Sequence, residues 1–250
     1  MLNPSPAALR LGSAVLLLAG WQILSGLLDD PMLPSPIEVT AWGWREATQG
    51  PLLAHLAATL RRVALAFLIA MLLGSAIGIL MGRSRTADLL LDPWLILLLN
   101  IPALVVIVLG YVWFGLLETT AVLAIAINKL PNVIVTLREG ARVLDRDYLA
   151  MAHSFRIGRR KTLLFVTLPQ LLPYFTVAAR NGLSLIWKVV LVVELLGRSD
   201  GVGFQLHLYF QLFDVAAILA YSMAFILVML AIEYGILQPL ERASNRWRLP

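Results

Sequence analysis

An all-α membrane bundle of about six transmembrane helices is the fold class this sequence predicts, on three observations. Hydrophobic residues make up 60% of the 250-residue chain and charged residues 14%, against roughly 45–50% and about 25% in soluble domains; the mean hydropathy is +0.83. Apolar runs long enough to cross a hydrocarbon core of about 30 Å lie at residues 11–28, 63–82, 94–117, 119–137, 171–197 and 215–237. Lys and Arg are concentrated on one side: with the N-terminus inside, 13 fall in inner segments and 4 in outer ones.

The first run has one basic residue ahead of it and no Ala-x-Ala-like site after it, so it reads as a retained helix and not a cleaved leader. Residues 29–51 are rich in proline, tryptophan and acid (Asp30-Pro31-Met32-Leu33-Pro34-Ser35-Pro36), which suits an outer loop or a short interfacial helix. Trp42 and Trp44 read as interface anchors there. The chain is predicted to be one transmembrane domain, with 1–58 a peripheral helix and loop and 59–240 the core.

In the second run Ala66, Ala70, Gly74, Gly78 and Gly82 recur at steps of four, a face of small residues that lets another helix approach closely in lipid. Asn100 and Pro102 interrupt the third run and predict a bend. In the fourth, Lys129 stands within Asn128-Lys129-Leu130-Pro131-Asn132, where the proline frees a carbonyl. The fifth carries Arg180, Trp187 and Glu194 at steps of seven, with Asn181, Ser184 and Lys188 beside them. Two polar stripes on one helix read as a cavity wall, because an ionisable residue at membrane depth faces the bundle or a water-filled path. Lys129 and Lys188 are candidates to offset the charge of an anionic solute; the competing reading pairs them with Glu118 or Glu194. Arg180 and Glu194 read as a structural or gating pair, and Glu233 as a residue near the inner interface.

The longest polar interruption is 138–172. It holds Arg138, Arg142, Arg146, Arg156, Arg159, Arg160 and Lys161, seven of the 20 basic residues. With the N-terminus inside, the inner segments also hold Arg10, Arg83, Arg85, Arg242, Arg246 and Arg248, while Arg45, Arg61, Arg62 and Arg198 fall outside. Both termini are therefore expected in the cytoplasm. This asymmetry, with anionic headgroups, accounts for the net charge of +5 and gives no reason to invoke nucleic acid. Within the interruption Asp145 and Asp147 suit a helix start. Tyr148, Met151, Ala152 and Phe155 then form an apolar stripe at i, i+3, i+4 and i+7, and Gly158 is expected to end the helix. Such a stripe needs a membrane surface or a groove on a partner.

The spacing here resembles the cytoplasmic signature of permease subunits of ATP-binding-cassette (ABC) importers: Glu-Ala-Ala, three residues, Gly, nine residues, Ile-x-Leu-Pro. It falls on Ala150-Met151-Ala152, residues 153–155, Arg156, residues 157–165 and Val166-Thr167-Leu168-Pro169. Leu33-Pro34-Ser35-Pro36, His55-Leu56 with Arg62, Leu91-Asp92-Pro93, Trp113-Phe114-Gly115 with Glu118, Pro131, Gly140, Leu172-Pro173, Arg180, Trp187 and Val193-Glu194 are similar to the nitrate/sulfonate/taurine branch of that family. The sequence departs from the pattern at Arg156 for the signature glycine, at Ala150 for its glutamate, and at Ala103 and Val108 for two prolines.

The resemblance implies a type I importer permease fold in a bacterial plasma (inner) membrane. It implies a second, identical permease copy, two cytosolic ATPase subunits that bind ATP and Mg2+, and an extracytoplasmic substrate-binding protein. The short helix would couple to the ATPase through Asp145, Tyr148, Ala150, Met151, Ala152, Phe155, Arg156, Gly158, Leu168 and Pro169. The cargo would be a small anion, or in an alternative reading a vitamin precursor or other small organic solute.

This chain has no Gly-x-x-x-x-Gly-Lys-Ser/Thr loop and is expected to be non-catalytic, with no cofactor of its own. Lacking cysteine, it has no disulfides and no thiolate metal sites. An intramembrane enzyme would need a nucleophile, acid pair or metal cluster at depth, and His55, His153 and His207 are scattered. A stand-alone secondary carrier would explain the buried charges but not the signature-bearing loop.

Overall fold

A computed structural model describes residues 6–28 and 30–239; Arg242, Arg246 and Arg248, and with them the C-terminal end, lie outside these residues. Helices α1 (Pro6–Leu28) and α2 (Pro36–Gln49) precede α3 (Leu52–Arg83), α4 (Arg85–Asn100), α5 (Ala103–Phe114) and α6 (Glu118–Arg142). Then come α7 (Arg146–Ser154), α8 (Arg159–Thr162), α9 (Leu168–Gly197), α10 (Val202–Gln211) and α11 (Val215–Ile232), with single π-helical segments at Leu163–Thr167 and Glu233–Leu237. No strand occurs among the described residues.

Four helical stretches are long and apolar enough to span a membrane: Leu52–Arg83, Glu118–Arg142, Arg160–Gly197 and Val215–Leu237. The fifth candidate is α4 with α5, bent by 96°. The span expected at 94–117 is therefore bent where Asn100 and Pro102 predict it, because Pro102 has no N–H to continue α4 and fixes its own φ near the value that opens α5. The first apolar run counts only as a shorter apolar helix, Gly12–Leu28, so the described residues hold four stretches long and apolar enough to span, or five with the bent pair, and do not confirm the count of six. Helix α1 is tied down near its end, where Trp21 Nε1 donates to the Pro34 carbonyl at 3.0 Å and Ser25 Oγ to that of Leu33 at 2.7 Å.

The small-residue face of α3 meets α6. A Cβ on Gly74 would lie 2.7 Å from Val133 Cβ, on Gly78 2.6 Å from the Ile134 carbonyl, and on Gly82 2.5 Å from the Arg138 carbonyl. Only glycine allows these backbones to touch. Those contacts set α3 and α6 parallel. Gly182 against Lys129 and Gly140 against Tyr174 set α9 antiparallel to α6. The main core fills the space between them with Ala66, Ala70, Ala121, Ile125, Ile186, Val190 and Val193, and closes on Tyr221 and Phe225 of α11.

Of the two readings of 29–51, residues Pro36–Gln49 form a short helix, α2. Ser35 and Glu38 form a reciprocal capping box at its start. Trp42 packs edge-on to Tyr209 with ring centroids 5.5 Å apart, while Trp44 is exposed.

The 138–172 interruption is not one loop. Arg138 and Arg142 belong to the last turns of α6, which α4 faces with acids: Arg138 pairs with Asp92, and Arg142 with Asp88 and, at 2.9 Å, with Glu139. Part of the basic charge assigned to a cytoplasmic surface is thus neutralised inside the protein. Beyond α7, a helical run from Arg160 to Gly197 covers 38 residues, so Leu168 and Pro169 lie within a helix and do not mark its entry. Both π segments precede a proline, Pro169 and Pro239. A proline offers no N–H and crowds the carbonyl four residues back; Phe165 and Gly235 occupy those positions, and the widened turn relieves the clash.

Candidate functional site

Three sets of residues carry the features expected of a site: α7 and its flanking turns, a buried ion network at the opposite end of the bundle, and the polar residues of α6 and α9 between them.

Asp145 caps α7 as expected, its carboxylate accepting from Asp147 N at 2.8 Å, and Gln170 Oε1 accepts from Asp145 N at 2.9 Å. Tyr148 (54%), Met151 (48%) and Phe155 (75%) are exposed. Ala152 is 1% exposed, so three of the four members of the stripe are exposed and the fourth is covered. Ala150 is also exposed.

The helix ends at Ser154 and not at Gly158. Arg156 takes φ +50°, Ile157 N donates to the Ala152 carbonyl at 2.9 Å, and Arg156 N to that of His153 at 3.0 Å. This is the Schellman pattern, which ordinarily places glycine at the left-handed residue. Arg156 therefore stands at the left-handed position that a glycine ordinarily takes in this turn. Beside α7, Leu144, Tyr148, Leu164, Phe165, Pro169 and Tyr174 are among the residues lining a groove of about 870 Å3.

At the other end of the bundle, Arg62 has no exposed side-chain surface. Its guanidinium donates to Glu194 at 2.7 Å, to Glu118 at 2.8 Å, to the Asp200 carbonyl at 2.9 Å and to the Asp200 carboxylate. Glu118 also receives Arg61 at 3.0 Å and Arg198 at 3.0 Å. Glu194, equally buried, accepts further from Thr59 Oγ1 and from Gly203 N, each at 2.9 Å. A fork of five donors surrounded by three carboxylates is the arrangement that makes a buried guanidinium tolerable.

The network also stitches the start of α10 to α3, since Val202 N donates to Thr59 Oγ1 at 2.9 Å and Gly201 N to His55 Nδ1 at 3.0 Å. At Asp200 burial works to raise the carboxyl, but the hydrogen bond and charge of Arg62 outweigh it and hold the group below the usual carboxylate range.

This geometry corrects two expectations. Glu194 pairs with Arg62 and not with Arg180, which lies midway along α9 and 3.3 Å from Glu233. Neither Glu118 nor Glu194 pairs with a lysine. Arg62 had been counted with the outer segments, although the sequence carried the signal: Arg62 continues the step-of-four stripe through Ala66, Ala70, Gly74, Gly78 and Gly82, so it had to face the same buried seam. Nothing in sequence marked Thr59, Asp200 or Gly203 as its companions, because they meet only when α3 and α10 come together.

The polar stripes of α9 separate. Trp187 is buried, edge-on to Phe225 with centroids 5.5 Å apart; Asn181, Ser184 and Lys188 are exposed. On α6, Lys129 is 2% exposed and its Nζ has no hydrogen-bond partner among the described residues. An ionisable residue at membrane depth costs about 2.5–3.5 kcal/mol on insertion scales, which makes an unpaired one an exception. Asn100 ends α4 with its Nδ2 donating to the Ile96 carbonyl at 2.7 Å, and Pro102 caps α5. No group of three or more His, Cys, Asp or Glu residues suited to a metal occurs among the described residues.

Residues 56–236 match the family described as binding-protein-dependent transport system inner membrane component. The chain is 31% identical over 234 residues to a putative aliphatic sulfonates transport permease protein of Bacillus subtilis, covering 93% of this chain and 84% of that one. It is 31% identical over 240 residues to the taurine transport system permease protein of Escherichia coli, covering 94% and 87%. A nitrate import permease protein of Synechococcus elongatus is 26% identical over 197 residues, covering 75% of this chain and 71% of its own. The helical frame, its parallel α3–α6 seam and these matches lead to one assignment: the chain belongs to the binding-protein-dependent transport inner membrane family and is a multi-pass, non-catalytic permease subunit of an ABC importer.

Proposed function

We propose that this permease imports a small anionic solute and works as one of two identical copies bound to two cytosolic ATPase subunits, which hold ATP and Mg2+. An extracytoplasmic binding protein delivers the solute. The observation that carries the ATPase contact is the exposed apolar face of α7. Tyr148 and Met151 on α7 and Phe155 at its C-cap are all exposed apolar side chains. Exposed aromatics on an otherwise polar segment fit a groove on a partner.

The anionic cargo is supported by the relatives, whose names specify aliphatic sulfonates, taurine and nitrate. In this reading α7 and both termini are cytoplasmic, and the Arg62 network lies toward the outside.

Affinity purification of the tagged permease from its own cells, followed by mass spectrometry, tests the assembly; absence of a co-purifying ATPase would overturn it. Phe155→Asp places a charge in the centre of the proposed contact and should abolish co-purification. Arg45→Ala, an exposed change on α2, should leave it intact. Equal recovery from both variants would remove α7 as the docking element.

A further inference from the structure

We propose that the Lys129 ammonium binds the transported anion, with the cargo supplying the counter-charge that no described side chain provides. The assignment rests on the anion-import reading above and adds a residue and an atom to it.

The acids of the core are already engaged elsewhere. Glu194 holds Arg62 and Glu118 holds Arg61, Arg62 and Arg198. Arg138 likewise has its carboxylates. Lys129 alone among the buried cations of the described residues lacks an acceptor, with its Nζ enclosed and its side chain 2% exposed. A protein that assigns acids to each of its other buried cations has left this one for something that arrives and leaves.

The packing around Lys129 is shaped to it. A Cβ on Gly182 of α9 would lie 2.5 Å from Lys129 Cε and 3.2 Å from Nζ, so the end of the Lys129 chain rests directly against Gly182. Gly182 sits between Asn181 and Ser184, which with Lys188 form the exposed polar face of α9. Along α6, Lys129 stands eleven residues after Glu118 and nine before Arg138, about 14–16 Å from each at 1.5 Å per residue. The ammonium lies midway between the two ionic ends of the bundle.

The chemistry selects a class of ligand. An ammonium is a compact point charge with three donors and no fork geometry. It therefore attracts sulfonate, nitrate and bicarbonate alike, without matching the shape of any one of them. In a site removed from water the attraction is much stronger than in solution, and a neutral or cationic solute gains nothing from it. Selection among anions is then left to other contacts and to the binding protein.

The test uses the whole importer with its binding protein in proteoliposomes, assayed for ATP-driven uptake of labelled taurine, ethanesulfonate, nitrate and bicarbonate. Lys129→Met and Lys129→Gln should each lower uptake of the imported anion at least tenfold. Both complexes should stay assembled, and their melting temperatures without solute should equal or exceed the wild-type value, because removing an uncompensated buried charge does not cost stability. Uptake within twofold of wild type in either variant, or a lower melting temperature with loss of assembly, would overturn the assignment; the second result would make Lys129 a structural residue. If wild type imports none of the four anions, the anion-import reading itself fails and the Lys129 site with it. If wild type imports one and the variants do so equally, only the Lys129 site fails.

Discussion

At Arg156 the backbone and the side chain disagree. The turn after α7 has the two Schellman hydrogen bonds and a left-handed residue at φ +50°, but the residue is arginine, whose Cβ makes that conformation costly by about 1–2 kcal/mol. The fold keeps it because the alternative leaves the Ala152 and His153 carbonyls without their donors. Arg156→Gly should relieve the strain, offset in part by the greater freedom of glycine in the open state, for a net gain of about 0.5–1 kcal/mol. Amide exchange at Arg156 and Ile157 in the intact complex should therefore slow by roughly two- to fivefold; unchanged or faster exchange would mean that the arginine is held by contacts stronger than the strain.

At the scale of elements, the α3–α6 seam was the most legible feature in the sequence. Five small residues at steps of four specify a close helix contact whatever their partner turns out to be, and α6 is that partner. Gly78→Ala should then be severe for one methyl group, because the new Cβ would lie 2.6 Å from the backbone carbonyl of Ile134, which cannot rotate away. Overpacking of this kind costs about 1–3 kcal/mol. Gly43→Ala, where the nearest atom is 3.5 Å away, serves as the control and should leave the melting temperature of the purified permease unchanged. A Gly78→Ala protein that melts with the control would show that α3 and α6 can slide apart.

The elements that sequence did not define have physical reasons in common. At the start of the Arg160–Gly197 run, Arg159, Arg160 and Lys161 break the apolar pattern and so suggest a loop, yet a charged turn can continue a helix, and the π segment at Leu163–Thr167 absorbs Pro169 where a proline ordinarily marks an end. The acids on α4 could not be matched to Arg138 and Arg142 from sequence, since contacts about fifty residues apart leave no periodic trace.

For the whole molecule, the helical run from Arg160 to Gly197 joins the α7 region to the Arg62 network, because the same rod carries Gln170 beside Asp145 and Glu194 beside Arg62. A displacement of α7 therefore reaches the opposite end of the bundle through one continuous element. Whether that end yields depends on how firmly Arg62 holds α3, α6, α9 and the start of α10 together. The guanidinium and the Glu194 carboxylate are both fully buried, so removing one leaves the other uncompensated, at a cost of about 3–5 kcal/mol. Arg62→Met should lower the melting temperature of the permease sharply. Replacing the pair together, as Arg62→Met with Glu194→Gln, should recover a large part of that loss, since the buried carboxylate is then gone and the amide oxygen can still accept from Thr59 and Gly203. If the double variant is as unstable as the sum of the singles, Arg62 and Glu194 act independently. That end of the bundle would then be held by apolar packing around Tyr111, Val193 and Val202, and the ion pair would not be the bond joining α3 to α9.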